Sequence, residues 1–156
     1  MALFLETQAI SNELLRLIKE AKERLILVSP YLKASTHIQE RLNTISKKGI
    51  LSEFLIIYGK EELKKSEQDW IKEIENLEVI EKKNLHAKCY INEEKAIICS
   101  MNLYDFSQQN NIEMGILISK KDDEEAYNSL MDEISNLKIN GTIKKFVKQL
   151  TFKEFD

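Results

Sequence analysis

The stretch Leu85-His86-Ala87-Lys88-Cys89-Tyr90-Ile91-Asn92-Glu93-Glu94-Lys95-Ala96-Ile97-Ile98-Cys99-Ser100 decides the fold. Two apolar runs, Leu85 to Asn92 and Lys95 to Ser100, flank a short acidic break at Glu93-Glu94, the pattern of a tight antiparallel hairpin. Successive strand residues point to opposite faces, so His86, Lys88 and Tyr90 share one side while Cys89 and Ile91 share the other. A histidine and a lysine that face together need a partner that tolerates both, and a phosphate is a natural candidate. Beyond the hairpin come Ser100 and Asn102, then Asn111 and Glu113 at the head of a further strand, Ile112 to Ser119. Polar groups thus gather at the ends of three adjacent strands, where a layered sheet usually places its binding site.

Outward from the hairpin, helical and strand patterns alternate. From about Thr7 to Glu23, Ile10, Leu14, Leu15, Ile18 and Ala21 recur at helical spacing with charged residues opposite, which predicts an amphipathic helix. Arg24 to Val28 is a short apolar run closed by Ser29-Pro30, a buried strand. Thr36-His37-Ile38-Gln39 has the form of a capping box that opens a second helix with a stripe of Ile38, Leu42 and Ile45, which Gly49 can close. A strand near Phe54 to Tyr58, a helix around Ser66 to Ile74 and the run Glu78-Val79-Ile80 follow. After the hairpin, Asp122 to Leu137 reads as a helix with acids at its start, where the macrodipole favours them. Lys144, Lys145 and Lys148 fit the solvated face of a short final helix. The alternation predicts an α/β fold, a mixed sheet flanked by helices.

Composition bounds the function. The chain has 156 residues and 43% hydrophobic content, enough for one core, so one domain is expected over 1–156. Its 23 basic side chains against 26 acidic ones exclude binding of nucleic acid by bulk charge, so any phosphate site must be local. The opening Met1-Ala2-Leu3-Phe4-Leu5 lacks the basic flank and cleavage segment of a signal peptide. No run approaches the length needed to cross a bilayer, so no membrane role is expected and the cytoplasm is the expected location. Cys89 and Cys99 match neither a zinc knuckle nor a disulfide framework and are expected to be buried thiols in neighbouring strands.

His86-Ala87-Lys88, Ser100-Met101-Asn102 and Asn111-Ile112-Glu113 together resemble the signature of the phospholipase D superfamily, in which His-x-Lys is followed by Gly-Ser-x-Asn and then a glutamate. Ser29-Pro30-Tyr31-Leu32 is similar to the first strand and loop of many members, so the resemblance covers most of the chain. Glu93 stands where aspartate is usual, and Cys99 where glycine is usual. The combination of positions carries the match, since a lone His-x-Lys has no specificity.

The resemblance implies a metal-independent phosphodiesterase without cofactors: a histidine attacks phosphorus and a second histidine protonates the leaving oxygen. The chain holds one other histidine, His37, with no lysine two residues on. A symmetric homodimer with two copies of His86 facing each other is therefore expected, as in short bacterial nucleases of the family. By this reading His86, Lys88, Asn102 and Glu113 are catalytic. Lys88, Ser100 and Asn102 bind the phosphate, Glu113 orients His86, and Lys82 and Lys83 form a cationic rim toward a nucleic-acid backbone. A nucleic-acid substrate is expected, with a separate targeting protein available to such a mildly acidic surface.

Each residue also has a plainer reading. His86 alone reads as a structural histidine, and Lys82 and Lys83 as a solvated strand edge. Trp70, Tyr31, Tyr58, Tyr90 and Phe106 read as core or rim rather than base-stacking platforms. Glu93 caps or closes the turn. The contrasting function is a noncatalytic dimerisation or nucleic-acid-binding module, against which stands the retention of His86, Lys88, Asn102 and Glu113 together.

Overall fold

The computed structural model describes residues 1–59, 62–103 and 110–146. In chain order the elements are β1 (Leu3–Glu6), α1 (Thr7–Glu20), β2 (Arg24–Val28), α2 (Thr36–Lys47), β3 (Glu53–Tyr58), α3 (Lys65–Lys72), β4 (Glu78–Glu81), β5 (Cys89–Asn92), β6 (Lys95–Cys99), β7 (Met114–Ser119), α4 (Glu124–Ile139) and β8 (Thr142–Lys144). The strands form one mixed sheet ordered β1-β7-β6-β5-β2-β3-β4-β8. β2, β3 and β4 run parallel, and every other pairing is antiparallel.

Both faces of the central strands are covered, which is why β2 and β3 read as continuous apolar runs rather than alternating ones. On one face α1, α2 and α3 bury Leu25, Leu27, Ile56, Tyr58, Tyr90 and Ile97. On the other, α4 supplies Tyr127 and Ile134 against Ile26, Val28, Leu55, Ile57, Ile91 and Ala96. The expected α/β architecture is thus realised as an eight-stranded mixed sheet flanked by helices. Among the described residues no helix is long and apolar enough to cross a membrane.

Several local expectations are corrected. The apolar opening forms β1, paired with β7 through Phe4 opposite Ile116 and Glu6 opposite Met114. The cap of α2 is Ser35, whose hydroxyl accepts from Ile38 N at 3.2 Å, while the Gln39 amide donates to Ala34 O rather than closing a box at Thr36. The final basic segment is no helix at Lys144, which ends β8 and meets Glu81 at 3.8 Å. Lys148 lies outside the described residues, as does Phe106. A helical reading failed at residues 142–144 because β4 offers an open strand edge there, and edge pairing outweighs weak local preference.

The hairpin is as expected in its turn and shorter in its first arm. Asn92 closes the turn, its side-chain oxygen accepting from Glu94 N and Lys95 N at 2.9 Å each. Ladder pairing begins at Cys89 rather than Leu85, because its partner β2 ends opposite it at Val28 and the chain there turns away through Ser29-Pro30. Cys89 is buried, but Cys99 is only partly so, correcting the expectation of two buried thiols.

Candidate active site

The topology brings one set of termini to one end of the sheet. The parallel strands β2, β3 and β4 finish there, as does β6, while β5 and β7 begin there. His86 and Lys88 precede β5, Ser100 and Asn102 follow β6, and Glu113 precedes β7. Because these three strands are neighbours about 4.8 Å apart, residues from three separate stretches meet on one short edge.

The His86 segment is delivered by its supports. Gly59, at the end of β3, carries no Cβ; a Cβ built there would lie 1.8 Å from the carbonyl oxygen of Lys82, so glycine lets the segment after β4 cross close to β3. Lys82 N then donates to Tyr58 O at 2.8 Å, and Asn84 takes a left-handed turn at φ 65. Leu85 is buried as an anchor, and His86 emerges exposed to solvent. Lys88 folds back on it: its ammonium donates to the His86 carbonyl at 3.0 Å and lies 3.5 Å from the ring Nδ1. The Lys88 carbonyl is fixed in turn by Cys99 N at 3.2 Å.

Ser100 and Glu113 are joined directly. The Ser100 hydroxyl donates to Glu113 Oε2 and accepts from Met114 N at 3.1 Å. The Glu113 backbone is held by Thr7, the first residue of α1, whose hydroxyl accepts from Glu113 N at 2.8 Å and donates to Glu113 O at 3.2 Å. Glu113 was expected to orient His86; among the described residues its carboxylate instead engages Ser100, and Oε1 carries no hydrogen bond.

Asn102 is clamped on both sides. The carbonyl before it, Met101 O, accepts from the buried Tyr90 hydroxyl at 2.6 Å, and Leu103 N after it donates to Ser29 Oγ at 2.9 Å. Leu103 also bridges to Leu32. The side-chain oxygen of Asn102 is itself buried without a hydrogen-bond partner among the described residues.

Cys99, in the position where glycine was expected, has a compensating neighbour. It pairs with Gly115 on β7, and a Cβ at residue 115 would lie 2.7 Å from the Cys99 Cβ. Glycine at 115 thus leaves room for the Cys99 side chain across the ladder. Burial pushes the Cys99 thiol up to about 11, with the Met101 backbone and Lys88 opposing the rise and Glu113 adding to it, so the thiol stays protonated.

Glu93 lies at the opposite end of the sheet. Its Oε1 accepts from the backbone N–H groups of Lys22, Glu23 and Arg24 at 2.8, 2.8 and 3.2 Å. Burial alone would raise its pKa, but these donors outweigh it and the carboxyl titrates below its usual range. It is a structural clasp on the α1–β2 connection rather than the closure of its own turn, which Asn92 supplies. Lys82 is half-buried and Lys83 exposed, both on the site end. His37 is exposed in the first turn of α2. Tyr58 and Tyr90 are core, and Tyr31 and Trp70 are rim.

The supports that sequence reading missed are Thr7, Gly59 and Gly115. Ser29 and Tyr90 were visible as a loop motif and a same-face residue, whereas Thr7 and Gly115 act across 106 residues or across a ladder and carry no local signal. The assembled site is an open surface with one histidine. A cavity of about 630 Å³, bordered by Glu93, Lys95 and Lys120, lies at the far end and shares none of these residues.

No curated protein has a sequence that matches this chain. Solved structures with the same fold include Nuc, a phospholipase D family member from Salmonella typhimurium, at 15% identity and TM-score 0.75, covering 93% of this chain and 98% of that one. NucT from Helicobacter pylori follows at 16% and 0.74, covering 91% and 99%. Phosphatidylserine synthase from Haemophilus influenzae shares the fold at 14% and 0.70, but this chain spans 41% of its length. The family described as cardiolipin synthase, PLD-like domain, matches residues 14–137. Spanning the hairpin, the Ser100–Asn102 turn and Glu113 in one match, this places the chain in the phospholipase D superfamily.

Proposed function

We propose that the protein is a metal-independent phosphodiesterase that hydrolyses nucleic acid in a site shared by two identical subunits. The observation that carries this reading is the exposed His86 ring beside the Lys88 ammonium, on the same sheet edge as Ser100, Asn102 and Glu113. Its supporting likeness is to Nuc and NucT, whose lengths this chain nearly matches.

A neutral His86 attacks phosphorus while the partner subunit's His86, protonated, gives its proton to the leaving oxygen as the P–O bond breaks. That second imidazole, now neutral, takes a proton from water, whose oxygen attacks the phosphohistidine and frees the first ring. Lys88 and the Asn102 amide from each subunit stabilise the nonbridging oxygens. Ser100 adds a hydroxyl once its contact with Glu113 exchanges. Glu113 Oε1 is available to a ring N–H and would fix the tautomer.

A dimer is supported by the surface itself. Phe4, Ile116 and Ile98 lie in register across β1, β7 and β6, and Met114 stands one pleat nearer the site. They are 67%, 46%, 45% and 60% exposed on the face that α4 covers only further along the sheet. A row of exposed apolar side chains beside a site with one histidine suits a self-complementary contact.

The test is cleavage of single-stranded and duplex nucleic acid and of a generic diester in the presence of a chelator. The expected result is chelator-resistant hydrolysis abolished by His86→Ala. Binding without turnover at every pH between about 5 and 8 would favour the noncatalytic module instead.

A further inference from the structure

The ladder of β6 ends at Cys99, so the turn that carries Asn102 is held by other means. Met101 and Leu103 are wholly buried and alternate with exposed Ser100 and half-buried Asn102, which sets the depth of the turn. Two hydroxyl groups and the Leu32–Leu103 bridge set its orientation. The Tyr90 hydroxyl donates to Met101 O at 2.6 Å, and Ser29 Oγ accepts from Leu103 N at 2.9 Å. That carbonyl and that N–H belong to the two peptide groups on either side of the Asn102 Cα. Each peptide group is planar, so holding both planes fixes the backbone angles of Asn102 and with them the direction of its Cα–Cβ bond.

Tyr90 lies in the core opposite Leu27 of β2, where a phenylalanine would fill the same apolar space. Burial holds its phenol well above the usual range, so it remains a donor. Ser29, also wholly buried, spends its own proton on Tyr31 O at 2.7 Å. One oxygen thus ties the loop after β2 to the Asn102 turn. An amide that must meet a phosphate oxygen in the transition state is sensitive to such support, since a misplacement of about 1 Å can lower a rate about a hundredfold.

We infer that Tyr90 and Ser29 are positioning residues that aim the Asn102 amide at the phosphate oxygens through the peptide groups on either side of it. The inference deepens the phosphodiesterase reading and rests on it for the role of Asn102.

The experiment measures hydrolysis of bis(para-nitrophenyl) phosphate by the full chain in the presence of a chelator. Tyr90→Phe should lower kcat about 10- to 100-fold while KM changes by less than about threefold, the mark of support lost chiefly in the transition state. Ser29→Ala should act in the same direction, and it carries the same prediction should Tyr90→Phe fail to fold. Tyr127→Phe is the control: it also removes a buried phenol hydroxyl, one that donates to Asn92 O at the other end of β5, and should lower Tm to a similar degree with kcat unchanged. In an Asn102→Ala background, Tyr90→Phe should cost nothing further, because its effect passes through the missing amide. An unchanged kcat in Tyr90→Phe, an equal fall in Tyr127→Phe, or a full further loss on Asn102→Ala overturns the inference. Binding of inorganic vanadate, whose five-coordinate form resembles the attacked phosphorus, is followed separately by calorimetry. Hydrolysis that Tyr90→Phe leaves intact sinks the positioning role and leaves the phosphodiesterase reading standing. Vanadate affinity weakened alike by Tyr90→Phe and Asn102→Ala, without hydrolysis, does the reverse. Affinity weakened by Asn102→Ala alone, or neither hydrolysis nor vanadate binding, overturns the inference.

Discussion

Cys99 and Gly115 show how a single residue keeps its neighbourhood in order. The two face each other across the β6–β7 ladder, with room for one Cβ between them. Gly115→Ala should destabilise the protein by about 1–3 kcal/mol, the ordinary cost of overpacking. Adding Cys99→Gly should restore most of that, because the clashing carbon is then gone. Denaturant unfolding of both variants checks the pair; an additive loss would mean that they do not share the space. The same residue-scale logic covers His86. Its ring is exposed, so its substitution leaves the core untouched and changes in activity report chemistry rather than folding.

At the scale of elements, one carboxylate ties the hairpin to the α1–β2 connection. Glu93 reaches three backbone donors that would otherwise be left at the foot of β2. Its folded pKa lies below its ordinary value, so its contribution to stability is complete above the usual carboxylate range, near pH 4, and is lost as pH falls through the lowered pKa. Glu93→Gln should lower Tm by about 2–4 °C at pH 7, corresponding to about 1 kcal/mol. The difference between variant and wild type should close on acidification. A gap that persists undiminished at pH 2 would show that the charge is not what matters. The aspartate-to-glutamate departure thus falls at the end of the sheet away from His86, where a longer side chain serves as a cap.

At the scale of the whole molecule, the uncovered part of the sheet bears on the single histidine. α4 shields Ile118 and Ala96 but leaves Ile116, Ile98 and Phe4 open. Placing a charge in the middle of that row with Ile116→Lys should leave the fold intact, since the side chain is already half exposed, and should shift the protein to a monomer in sedimentation. If the proposed shared site is right, chelator-resistant turnover should fall by about a hundredfold or more with it, because each site then loses one of its two imidazoles. A variant that remains dimeric would move the interface elsewhere.

What the sequence by itself determined was local and periodic. The β2 and β3 runs, the α1 and α2 stripes and the Glu93-Glu94 turn follow from burial on one or both faces, a pattern that each segment carries in its own order of residues. The motif residues could be named because their types and spacing, from His86-Ala87-Lys88 to Glu113, resemble a known signature. Only the tertiary structure decided what meets across distance. It gave β8 an edge to pair with, and it stopped β5 at Cys89 because β2 ended. It joined Glu113 to Ser100 and Thr7, and set Gly115 against Cys99. Those outcomes depend on which strand lies next to which, and partners up to 106 residues apart leave no mark on either segment alone.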